Sequence, residues 1–85
     1  MIKVTPLKEN QFEVEVTGRS TTQHRVAVQP EDAKRLARAG ESTASLVERS
    51  FEFLLARESN TSILRSFDLS VIARYFPEYE SEIQR

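Results

Sequence analysis

His24 is the only histidine in this 85-residue sequence, and no cysteine accompanies it. A nucleophilic triad would have to use His24 as the base that orients and deprotonates a serine. Its neighbours argue for a different role. His24 sits in phase with Val26 and Val28 in an alternating run, the place of a strand histidine packed at a sheet edge or partly in water. Glu13 and Glu15 flank Val14, so on a strand both carboxylates point to one face. Such a pair can share a proton or hold a cation, but no second acidic cluster stands at a fixed spacing from it, and the expectation is the solvated face of a hairpin. Without cysteine there are no thiolate nucleophiles, disulfides, iron–sulfur clusters or cysteine zinc sites, and one histidine supplies no histidine metal cage. Gly18 and Gly40 stand alone, so no glycine-rich loop is available to cradle a phosphate. The inventory points to a protein that is not an enzyme, with no cofactor and no metal.

The elements that hold these residues can be read from period and punctuation. Phe12-Glu13-Val14-Glu15-Val16 and His24-Arg25-Val26-Ala27-Val28 alternate with period two, which predicts two strands each buried on one face. The polar stretch Thr17 to Thr22 between them, with Gly18 able to take positive φ, joins them as an antiparallel hairpin. Ile2, Val4 and Leu7 suggest a preceding strand, which Pro6 confines to an edge. Pro30 followed by Glu31 and Asp32 suits the first turn of a helix, running to about Ala39 with Gly40 as its C-terminal cap. Ser42 or Thr43 can cap a second helix, in which Leu46, Val47, Ser50, Phe51, Leu54 and Leu55 form one stripe. Asp68 can cap a third from Leu69 to Phe76, and Pro77 either closes it or opens a last acidic turn through Glu78, Glu80 and Glu82. The expected fold class is α+β: an N-terminal antiparallel β-meander or hairpin over residues 1–29, two to four short helices over 30–76 packed on one face of it, and an acidic C-terminal tail over 77–85, all one small domain.

Charged residues make up 29% of the chain and nearly cancel to a net charge of -1, so any nucleic-acid or acidic-membrane binding needs a local patch. No apolar run approaches the ~18 residues of a membrane span, and the first residues lack the pattern of a signal peptide, which leaves a cytoplasmic protein as the expectation. A chain this short, with neither disulfide nor metal, lies near the lower limit for folding alone, and self-association is expected on that ground.

From Gln23 to Glu58, the strand Arg25-Val26-Ala27-Val28 leads into Pro30-Glu31-Asp32-Ala33, then Gly40-Glu41-Ser42, then Leu46-Val47-Glu48-Arg49-Ser50-Phe51-Glu52-Phe53-Leu54. That order resembles the ribbon-helix-helix family of dimeric DNA-binding proteins, in which a Gly and Ser turn separates two amphipathic helices. The resemblance implies that Gln23, Arg25 and Ala27 face the major groove and that backbone amides near Ser42 and Thr43 hold a phosphate. Parity in the hairpin, however, sets Glu13 and Glu15 on the face of Arg25, where a cross-strand ion pair is the expectation and phosphates are repelled. Arg19, Arg25, Lys34, Arg35 and Arg38 form a basic run offset only by Glu31 and Asp32, which is either a small patch, short of the contacts that strong phosphate binding needs, or the solvated face of a short helix, the favoured reading.

The stretch from Ser62 to Tyr79 concentrates Ile63, Leu64, Phe67, Leu69, Val71, Ile72, Tyr75, Phe76 and Tyr79 on more than one helical face. One short helix cannot bury them all against a small sheet. Phe53 lies off the main stripe and should meet either this segment or a second chain. Part of the set should cover the Phe51, Phe53 and Leu54 stripe, and the rest is either intramolecular core or an interface, for which Phe53, Phe67, Val71, Tyr75, Phe76 and Tyr79 are the candidate residues. The expected function is a small interaction module that self-associates as a dimer or engages a protein partner, away from any membrane; the alternative is a ribbon-helix-helix-like transcriptional regulator or antitoxin binding nucleic acid through Gln23, Arg25, Ser42 and Thr43.

Overall fold

The computed structural model describes residues Met1 to Arg85. Strands β1 (Ile2–Pro6), β2 (Gln11–Thr17) and β3 (Thr21–Ala27) form the antiparallel meander, and helices α1 (Pro30–Leu36) and α2 (Thr43–Leu55) follow. A 3-10 turn (Asn60–Ser62) then leads into a short strand β4 (Ser66–Asp68), helix α3 (Val71–Tyr75) and helix α4 (Tyr79–Ile83). The sheet order is β1-β2-β3-β4. The fold is thus α+β with the strands first, as the periodicity predicts.

Register explains the layering. Val4 faces Val14, Val14 faces His24, and Phe12 faces Val26, so alternate residues of all three strands present one apolar surface. Phe12, Val14, Val16 and Val26 are buried there with Leu46, Val47, Phe51 and Leu54 from α2, within one core cluster. The opposite face carries Lys3, Thr5, Glu13, Glu15, Gln23 and Arg25 and is left to water.

Ser42 accepts the Ser45 N–H at 3.1 Å, so the expected cap of α2 is in place. Three expectations are corrected. Helix α1 ends at Leu36 rather than near Ala39, and Gly40 lies beyond it, taking φ 79° in a turn closed by the Glu41 N–H on the Arg38 carbonyl at 2.9 Å. Positive φ in the first β-turn falls on Glu9 at 56°, whereas Gly18 does not adopt it. Ser66, Phe67 and Asp68 form a strand that the periodicity does not predict, pairing in parallel with Arg25, Val26 and Ala27. Asp68 therefore closes a strand, accepting the Ser70 N–H at 3.0 Å, and α3 starts only at Val71. Residues 77–85, expected as an acidic tail or a last acidic turn, carry helix α4. Tyr79 is 0% and Ile83 4% exposed, because their i, i+4 spacing turns both inward. The acids beside Tyr79 find cations instead, Glu80 with Arg35 at 2.6 Å and Glu78 with Arg57 at 3.2 Å.

Candidate functional site

Beside α3 an apolar groove of about 350 Å³ opens to the surface. Leu54 and Glu58 form one wall, Ile63, Leu64 and Phe67 the loop side, and Val71, Ile72, Tyr75 and Phe76 the third side. The sequence makes this hollow because the segment after α2 is neither a helix nor a long strand. Its apolar side chains point in several directions, and α3, at five residues, is too short to cover them.

The floor is rigidly tied to the core. His24, 2% exposed, holds the Leu64 carbonyl through Nδ1 at 2.7 Å, and its Nε2 lies 2.9 Å from the Thr22 hydroxyl. A carbonyl can only accept, so Nδ1 donates to it, while Nε2 shares its hydrogen bond with the Thr22 hydroxyl. The ring also packs 5.4 Å from Phe51, which in turn lies 6.0 Å from Phe67 in the groove wall. The expected edge or partly solvated histidine is thus a buried core group. Nδ1 thereby fixes Leu64 at the groove's lip, and with His24 2% and Thr22 7% exposed the pair lies within the core.

The candidate interface residues separate into two sets. Phe67, Val71, Tyr75 and Phe76 meet around the groove. Phe53 and Tyr79 do not: Phe53 is 8% exposed and stacks edge-on against Phe76 at 5.9 Å and Tyr79 at 5.2 Å, so it meets the C-terminal segment and not a second chain. The Arg57 guanidinium covers the Phe53 ring at 3.7 Å. The Tyr79 hydroxyl donates to Ser50 Oγ at 2.7 Å, since Ser50 itself donates to the Leu46 carbonyl, and burial pushes the phenol up to about 12. Leu64 belongs to the groove, although only the excess of apolar residues on several faces signals it in the sequence.

The residues of the DNA-reading arrangement lie apart. Gln23 and Arg25 project from the open sheet face, where Arg25 reaches Glu13 at 3.4 Å in the expected cross-strand pair, 58% and 36% exposed. Ser42 and Thr43 start α2 on the other side of the sheet. Ser42's hydroxyl is spent on its cap. The adjacent Glu41 carboxylate binds Arg49 at 2.7 Å, the Arg38 N–H at 2.9 Å and the Ser45 hydroxyl at 2.8 Å. Arg49 holds that carboxyl down to about 2, so a negative charge stands where a phosphate would have to sit. Strand β3 is bonded to β2 along one side and to β4 along Arg25–Ala27 on the other, leaving that stretch no edge for a twin strand.

No group of three His, Asp or Glu side chains is placed to hold a metal ion, and no helix is long and apolar enough to cross a membrane. No protein-family profile, curated protein or solved structure matches the chain.

Proposed function

We propose that this protein is a small non-enzymatic interaction module that associates with a second copy of itself through the apolar groove beside α3. One observation carries the reading. The large hydrophobic side chains left exposed are Met1 at the chain start and two residues of the groove, Leu64 at 48% and Tyr75 at 67%. Small folds usually bury such groups or use them, and an aromatic rim around an apolar hollow is the make-up of a protein contact. The non-enzymatic part is supported by the burial of His24 and its Thr22 partner, 2% and 7% exposed, which keeps the one imidazole away from a substrate.

Light scattering from low to high micromolar concentration tests it, with Tyr75→Glu as the probe because that side chain makes little of the core. The expected result is a dimer that Tyr75→Glu converts to a folded monomer. A wild-type monomer over the whole range overturns the reading. The ribbon-helix-helix alternative draws support from Gln23 and Arg25 standing side by side on an open face. DNA titration at two salt concentrations separates the readings. Specific, salt-steep binding lost in a still-folded Arg25→Ala variant replaces the module with the DNA-binding regulator; no such binding is expected, because Glu13 already engages Arg25.

A further inference from the structure

The groove has one charged residue in its walls, Glu58, and that carboxylate makes no ion pair or side-chain hydrogen bond within its own chain. A half-buried carboxylate in an apolar wall favours an occupant that brings a cation together with an apolar group. The chain itself carries that combination. Arg74, exposed and equally unpaired, immediately precedes Tyr75, the most exposed large hydrophobic of the groove, on α3. The other free cation of the loop, Arg65, is turned away, lining a polar hollow of the open sheet face with Glu13 and Arg25.

We infer that two copies meet about a two-fold axis at α3, each inserting Tyr75 into the other's groove and each placing Arg74 against the other's Glu58. The inference rests on the groove being the self-association surface and adds the arrangement of the two chains. A two-fold contact uses the same patch twice, so the patch must carry knob and hole, acid and base. This one carries all four: the Tyr75 ring, the hollow of about 350 Å³, Glu58 and Arg74. The paired charges stand at the rim, where they fix orientation and reject wrong registers more than they add affinity.

Charge exchange is the test, read as the dimer dissociation constant by sedimentation equilibrium. Glu58→Arg and Arg74→Glu should each weaken the dimer by about tenfold, because every reversal places two like-charge contacts in a symmetric interface. The double variant E58R/R74E should return to within about twofold of wild type. A second measurement needs no charge. Since the protein has no cysteine of its own, Glu58→Cys and Arg74→Cys chains mixed under oxidising conditions should give a mixed disulfide dimer, and neither alone should. A dimer that Tyr75→Glu dissociates, but that ignores the charge reversals and forms no mixed disulfide, overturns this arrangement and leaves the groove reading intact. A wild-type monomer overturns both.

Discussion

At the scale of single residues, the Glu41–Arg49 pair is the charged contact most enclosed in the protein, with side chains 9% and 17% exposed. Arg49 binds both carboxylate oxygens and also donates to the Ile83 carbonyl at 2.6 Å, so it ties α2 to the last helix. The Glu41 carboxyl falls from its usual 4.5 to about 2 on folding. A depressed carboxylate stabilises the folded state above its unfolded value, and that contribution drains away as pH falls from about 4.5 through about 2. Glu41→Gln should therefore cost on the order of 2 kcal/mol at pH 6 and close to nothing near pH 2, measured by urea unfolding at both values. An equal cost at both would mean that the carboxylate's charge contributes nothing. Period-two alternation made Glu13 and Arg25 legible as a pair, because on a strand parity alone decides which side chains share a face. His24 was legible only in phase. Its burial comes from the Leu64 carbonyl forty residues away in sequence, a contact no local pattern encodes.

At the scale of elements, helices and strands with full periods were readable and the short ones were not. Strand β4 has only Ser66, Phe67 and Asp68, too few to alternate, and it exists because the bare edge of β3 accepts it. Helix α4 hides among acids whose cations lie on distant elements, Arg35 on α1 and Arg57 just past α2. The groove walls after α2 depend on β4 and the equally short α3, so the groove itself could not be drawn from sequence. The turns make the same point, since left-handed backbone falls on Glu9 at φ 56° as well as on Gly40 at φ 79°. A side chain there strains the backbone by about 1 kcal/mol. Glu9→Gly should thus stabilise the β1–β2 turn by about 0.5–1 kcal/mol, whereas Glu9→Ala should change little because the Cβ stays. Gly40→Ala should lose about 1 kcal/mol by strain alone, since a Cβ there meets nothing within 4 Å. Urea midpoints of the three variants check the set, and a neutral Glu9→Gly would show that the turn tolerates its glutamate.

At the scale of the whole molecule, the question is whether a second copy completes the core or only uses a finished surface. The accessible surface is 5363 Å², against about 5,200 Å² for an ordinary folded monomer of 9.8 kDa. The chain therefore hides as much of itself as a free-standing protein of its size. Its core of 16 buried residues is contiguous from the sheet to α4 and does not need a partner to close it. The shortness that suggests self-association in the sequence is thus met within the chain, by Tyr79, Ile83 and Phe53 drawing the C-terminal segment onto α2. Dimerisation through the groove would then be an equilibrium between folded monomers, adding stability by mass action. The melting temperature of the wild type should rise by on the order of 5 °C over a hundredfold increase in concentration, whereas Tyr75→Glu should melt cooperatively at one temperature throughout. Calorimetry at several concentrations decides it. An unfolded Tyr75→Glu chain would make the dimer obligate, with the groove part of a shared core. A wild-type transition independent of concentration would mean that no second copy binds there, because any partner that prefers the folded chain must raise its melting point.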